Sequence, residues 1–471
     1  MRTGPVISIL IVALIAFFLY SQYQRGRMSL PGLPNVQATN PPPASPDPTA
    51  SSTPPASPQT TTTAPPAPTD PDPISVLRAE PARILTLVRD GKNAEAVAAA
   101  DAWLTKNPTD AVVALERQNA VTGLVTRPTV TIGLSTPLSG PLKQVGEAFA
   151  QGVNMAVSEA NSAGGVKTRR VIVNIVNDGG NRTQAIDAAS RLFKSQAVGV
   201  IGPYSSSTTL ASAEIYNQGL AIIAPAATNP RVSQAGPYIY RVAPSDAQQG
   251  ASLARLVKAR GHAQVAVLSD PNDAYSKGLA DAFVAEAEKI GLSTQAMTFD
   301  LNAYTSARVG NLAVDAIFVS GYTPDVAAVA KIEVLQKREI FAGDGAYGQD
   351  LLAQGGKFVE GVVMTTFWHS TLTDAASRTF RQRFEARYGG GTPNANAMQA
   401  YDATRTLLEA IRRAPNLTRE GVKAGLETFR TRPGTGITAP VKFDANGDVV
   451  GRPWVAITVK DGAFQAIGLA P

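Results

Sequence analysis

The chain has 471 residues, 44% of them hydrophobic, and a formal net charge of +6, so its length allows two or three domains. It holds no cysteine and 2 histidines, which excludes a disulfide framework, thiolate metal sites and a lipid-modified amino-terminal cysteine. No Lys/Arg block is dense enough to mark a nucleic-acid surface, so the basic balance names no partner.

Val6 to Tyr20 is an uncharged apolar run, with Arg2 before it and Arg25 and Arg27 after it. Its length lies between a signal-peptide core and a membrane span, which needs roughly 17–25 residues. Residues 1–27 read as a signal-anchor or a signal peptide; the missing small-x-small site around Leu19–Tyr23 favours an uncleaved anchor. The arginines taken alone argue for the opposite orientation, so an extracytoplasmic placement rests on the character of residues 28–471. Residues 28–73 are Pro, Thr, Ser and Ala with hardly a large apolar side chain. Such a stretch buries too little surface to offset its ordering entropy and is expected to be a disordered linker.

Residues 74–126 turn helical: Ile84, Leu85, Leu87 and Val88 form a stripe, Asp90–Asn93 breaks it, Ala94–Leu104 continues, and Asn107-Pro108 stops that. Thr109-Asp110 then caps a third helix running to Leu124. The pattern resembles a single tetratricopeptide repeat, a unit that normally needs about three copies to bury a core. A helical spacer, an oligomerisation element and a peptide-binding unit all fit it.

From Thr129 strands and helices alternate. Val130, Ile132 and Leu134 alternate as a strand, and Phe149, Val153, Ala156, Val157 and Ala160 share one helix face. A strand at Val171–Val176, a helix at Thr183–Ser195 and apolar runs at Val198–Ile201 and Ala221–Ala224 come next. After Tyr238–Val242 the rhythm restarts, with strands at Val265–Leu268, Ala316–Ser320 and Ile340–Ala342 and helices at Tyr275–Ile290 and Asp325–Gln336. Repeated βα units imply parallel sheets covered on both faces, and there are enough strands for two lobes. The run Val198–Ile201 breaks at Gly202-Pro203 into Ser205, Ser206, Ser207, Thr208 and Thr209; the run Ala221–Ala224 ends in Pro225-Ala-Ala-Thr228. Hydroxyls at a strand's carboxyl end, where a helix begins, lie beside unpaired N–H groups and a positive dipole end, a place suited to a carboxylate.

Several ordered motifs then carry a resemblance: Leu138-Ser-Gly-Pro141, Asn161-Ser-Ala-Gly-Gly165, Val200–Thr208, Ala224-Pro-Ala-Ala-Thr228, Tyr240-Arg241, Tyr275-x-x-Gly278, Gly321-Tyr322, Gly343-Asp-Gly345 and Phe443-Asp-Ala-Asn-Gly447. In order and spacing, residues 128–471 resemble the type I periplasmic binding proteins, and among them the leucine/isoleucine/valine-binding proteins of bacterial ABC importers. The resemblance implies a two-lobed α/β fold, with lobe 1 at about 128–245 and 369–440 and lobe 2 at about 246–368 and 441–471. It implies that Ser206 binds a ligand carboxylate and that Thr228 and the Ala226 carbonyl serve both charged groups. Asp344 would meet the α-ammonium, Tyr322 would close over the ligand and Tyr275 would line the cleft. Three specificity-pocket positions, Val145, Tyr204 and Asn396, depart from the leucine binders, so the side chain of the ligand stays open.

The implied protein is a non-enzymatic solute-binding protein outside the cytoplasm, anchored to the membrane through residues 6–20. It would carry an amino acid to an ABC permease. A ligand-sensing receptor module and an amide or urea binder of the same fold are the alternatives. No cofactor or metal is expected. Ser205–Ser207 lack a motif around either His262 or His369 that would make a hydrolase. Gly343–Gly348 matches G-x-G-x-x-G but places Asp344 against a pyrophosphate, and Asp444–Asp448 lacks the closing acid of a calcium loop.

Overall fold

The computed structural model describes residues 79–123, 128–298, 313–335 and 337–471. The expected anchor at residues 6–20 and linker at 28–73 lie outside them. Among the described residues no helix is long and apolar enough to cross a membrane.

Three short helices come first: α1 (Ala79–Arg89), α2 (Asn93–Lys106) and α3 (Ala111–Gly123). Ile84, Ala96, Ala100 and Val113 make a small core of their own. The other side of α3 is apolar too, and there Ala111, Val112 and Leu115 join the core of the neighbouring lobe. Asn119 accepts from the Val173 N–H at 3.1 Å and donates to the Val173 carbonyl at 3.0 Å. A hairpin too small to bury a core alone has completed it on a neighbour. The segment is built into that lobe and is not a free-standing spacer.

The first lobe starts with β1 (Thr129–Thr136), α4 (Lys143–Ser162), β2 (Arg170–Asn177), α5 (Arg182–Lys194), β3 (Ala197–Ile201), α6 (Ser206–Tyr216), β4 (Ile222–Ala224) and β5 (Ile239–Arg241). Its strands pair in parallel in the order β2-β1-β3-β4-β5, so the Asn119 amide satisfies open groups of an edge strand. The chain then crosses into α7 (Asp246–Ala259), β6 (Gln264–Ser269), α8 (Ala274–Lys289), β7 (Ser293–Thr298), β8 (Ala316–Ser320), α9 (Thr323–Ala330), β9 (Glu339–Ala342), α10 (Gln349–Gly355) and β10 (Val363–Thr366). It returns to the first lobe for α11 (Ala375–Arg387), α12 (Ala395–Arg413) and α13 (Arg419–Glu427). The strands β11 (Val455–Lys460) and β12 (Ala463–Leu469) finish the second sheet, ordered β12-β11-β10-β9-β8-β6-β7.

Two expectations need correction. The helix expected over Asp325–Gln336 ends at Ala330, where bonds from Lys331 to Ala328 and from Ile332 to Val329 tighten the turn; a 3-10 turn at Glu333–Leu335 comes after it. The last crossing between lobes lies near Gly451–Trp454 and not at 440/441. Val441, Phe443 and Val449 belong to the first lobe's core, and Asp448 pairs with Arg241 of β5. Just beyond, Arg452 is buried against Asp402 of α12 at 2.7 Å, which ties this crossing to the first lobe.

Candidate functional site

Open parallel sheets present ligands at the carboxyl ends of their strands, where connecting loops splay to either side. In the first lobe β3 gives way to Gly202, whose φ is +100°. A Cβ there would stand 2.0 Å from the Ser135 carbonyl, so only glycine makes the turn. Ser205 then caps α6 and forms a capping box with Thr208. With that task taken, Ser206 is free of it: buried, it accepts the Asn229 N–H at 3.1 Å and links the β3 loop to the β4 loop.

The β4 loop brings Ala226, Ala227 and Thr228 into buried positions. Arg241, 1% exposed, holds it from below by donating to the carbonyls of Thr228 at 2.6 Å and Asn229 at 2.9 Å. The Thr228 hydroxyl is buried with no hydrogen-bond partner.

Facing these groups from the second lobe is a set of tyrosines and acids. Asp344 stands on the turn after β9, and the Tyr275 hydroxyl donates to its Oδ1 at 3.1 Å while accepting the Gly345 N–H at 2.9 Å. The rings of Tyr275 and Tyr322 are 5.2 Å apart, and the Tyr322 hydroxyl reaches Asp273 at 3.5 Å. Burial pushes the Asp344 carboxyl up to about 7, against the favourable hydrogen bonds around it.

Asp246 was not singled out in the sequence. It opens α7 at the first crossing between lobes, its N–H donates to the Thr228 carbonyl at 2.8 Å, and it is wholly buried. Both carboxylate oxygens lack a hydrogen-bond partner. The Thr228 hydroxyl stands near enough to favour its charged form, though outside hydrogen-bonding geometry. Burial first, and then the charge of Asp344, hold its pKa well above the carboxylate range. Ser245-Asp246 looks in sequence like any helix start, and only tertiary burial sets it apart.

Of the specificity positions, Val145 and Tyr204 pack partly buried against the first core, with the Tyr204 ring edge-on to Phe149 at 5.7 Å. The charges of Asp344 and Asp273 add to burial in raising the Tyr204 hydroxyl, so its tip faces the acids of the other lobe. Asn396 sits half-buried in the first turn of α12, and no hydrogen bond among the described residues joins it to this group. The lobes themselves meet through Ser207 donating to Asp273 at 3.0 Å, Arg182 donating to the Asn272 carbonyl at 3.2 Å and Asn229 donating to the Ala274 carbonyl.

The histidines are engaged elsewhere, His262 with Glu339 at 2.7 Å and His369 with Thr371 at 2.7 Å. Asp444 and Asp448 are used within the fold: Asp444 accepts the N–H groups of Asn446 and Asp448, closing a hairpin turn. Chemically, the cleft gathers the Ser206 and Thr228 hydroxyls with the enclosed carboxyls of Asp246, beside Thr228, and of Asp344, from the second lobe, a pattern that complements a small molecule with charges of both signs.

Comparison with known proteins finds the family model described as periplasmic binding protein over residues 129–463. An amino acid binding protein of Pseudomonas aeruginosa is 27% identical over 341 residues, covering 68% of this chain and 87% of the relative. A Leu/Ile/Val-binding protein, BraC3, of Rhizobium johnstonii is 30% identical over 247 residues, covering 50% of this chain and 67% of the relative. The crystal structure of a leucine binding protein, LivK, from Thermotoga maritima superposes with a TM-score of 0.66 at 28% identity, over 73% of this chain and 99% of that one.

Proposed function

The chain belongs to the periplasmic binding protein family, and on that premise we propose that it captures an α-amino acid between its lobes, outside the cytoplasm, and delivers it to an ABC permease. The observation that carries the reading is the enclosed pair Asp246 and Asp344: Asp246, both of its oxygens unpartnered, lies beside Thr228, and Asp344 comes from the second lobe. A buried charge left unmatched is expensive, and an α-ammonium supplies the match. Ser206, the Thr228 hydroxyl and the Ala226 carbonyl form the jaw for the ligand's carboxylate end. Tyr275 orients Asp344, and Tyr322 and Tyr204 cover the ligand. Relatives named for binding amino acids and Leu/Ile/Val support the α-amino-acid end. Val145 and Tyr204 would shape the side-chain pocket, and residues 6–20 with the linker would tether the protein to the membrane.

A thermal-shift screen of the α-amino acids, with urea, acetamide and short polyamines alongside, tests this, because a ligand that binds only the folded form raises the melting temperature. At least one α-amino acid should stabilise the protein, and Asp344→Ala should weaken it by roughly 2–4 kcal/mol, as loss of one partner of a desolvated charge pair does. Stabilisation by amides alone, or an unchanged affinity in Asp344→Ala measured by calorimetry, would sink the ammonium site.

A further inference from the structure

Where the helical segment docks on the first lobe, the two border an open crevice of about 540 Å³, and none of its lining residues belongs to the cleft. Arg117 enters it from α3, Arg170 from the start of β2 and Arg387 from the end of α11, and no carboxylate lines it. Arg387 is spread between Ser158 Oγ and Asn154 Oδ1, each 3.1 Å away. Arg117 pairs with Asp101 in an exposed bridge that salt would screen. Arg170 forms no ion pair among the described residues, and its Nε is shielded from water with no acceptor.

We propose that this crevice binds a small solute carrying two or more phosphate or carboxylate groups. The planar donor fork of a guanidinium matches such oxyanions in pairs, and a concave wall with three of them concentrates positive potential. The space is of a size that small-molecule sites occupy. One wall is the segment that precedes the family-matched residues and the other is the first lobe, so an anion held there clasps the two together.

The test is thermal unfolding of the full chain with sodium pyrophosphate and with sodium citrate, each against sodium chloride at equal ionic strength. One or both should raise the melting temperature by several degrees at millimolar concentration; a response to pyrophosphate alone identifies a phosphate ligand, and to citrate alone a polycarboxylate. Arg170→Gln and Arg117→Gln should each weaken that response by about 10-fold or more in dissociation constant, while Asp344→Ala should leave it unchanged. No shift beyond chloride, equal shifts in the arginine variants, or loss of the shift in Asp344→Ala would overturn the proposal. If Arg170→Gln does not fold, Arg117→Gln, whose side chain is 39% exposed, decides the matter.

Discussion

Burial pushes the Asp344 carboxyl up to about 7, and the Gln249 and Tyr275 side chains that favour its charged form do not offset it. An unfolded aspartate ionises near 4, so below that pH both states are protonated and the group contributes no penalty. As pH rises from about 4 towards 7 the unfolded chain ionises first and ligand-free stability declines. Asp344→Asn should therefore melt higher than the parent at pH 8 and at the same temperature at pH 4, by calorimetry. A cationic ligand group reverses the balance by favouring the carboxylate. With a free-state pKa of about 7, affinity for an α-amino acid should be roughly 30-fold weaker at pH 5.5 than at pH 8. Asp246 and Asp273, with Tyr204, Tyr275 and Tyr322, face the same space; Asp246 shifts in the same direction and steepens the trend. A flat profile over that range would mean that neither acid meets the ligand's charge.

At the scale of elements, the β4 loop owes its shape to a strut from elsewhere in the chain. Arg241 of β5 supports the Thr228 and Asn229 carbonyls while Asp448, from the hairpin over two hundred residues on, answers its charge, with Oδ2 at 2.8 Å from Nη2 and also accepting from Ser233 at 2.8 Å. Asp448→Ala leaves a buried guanidinium unpaired and should destabilise the fold by about 3–5 kcal/mol in urea unfolding. The double variant Arg241→Met/Asp448→Leu should recover part of that loss, and identical stability of the two would deny the pair its role. This strut was only half legible: Tyr240-Arg241 and Phe443–Gly447 stand out as separate motifs, and nothing in their spacing joins them. Likewise β1, β3, β4, β6, β8 and β9 are readable because their apolar runs are largely buried, and the edge strand β2 because Val171–Val176 is apolar but for Asn174. The strand β7 is mostly polar and buries none of its residues at a sheet edge, and so leaves no comparable signal. Ser205, Ser206 and Ser207 are equivalent as letters. Which one caps and which one is released depends on the turn at Gly202, and burial alone distinguishes Asp246.

For the whole molecule, the described residues form one compact unit that takes in the helical segment and both lobes, within Asp70–Pro471. Two truncations therefore should behave oppositely. Removing residues 1–73 takes away no residue of the cleft, and the remaining chain should bind its amino acid with unchanged affinity. Removing residues 1–126 strips α3 from the first lobe. That exposes the apolar surface covered by Val112, which is 6% exposed, and Leu115, which is 0% exposed. It also leaves the Val173 N–H and carbonyl on the edge of β2 without Asn119. Burial of two such side chains is worth roughly 3–6 kcal/mol, enough to lower the melting temperature by on the order of 10 °C in a domain of this size. The bared edge also invites pairing with other copies, so light scattering should show the shorter chain associating as it is warmed. The single substitution Leu115→Ala separates packing from edge protection: it should lower stability by about 2–5 kcal/mol and leave the association unchanged, because Asn119 still closes the edge. A 1–126 deletion as stable and as monomeric as the 1–73 deletion would mean that the helical segment contributes nothing to the lobe on which it lies.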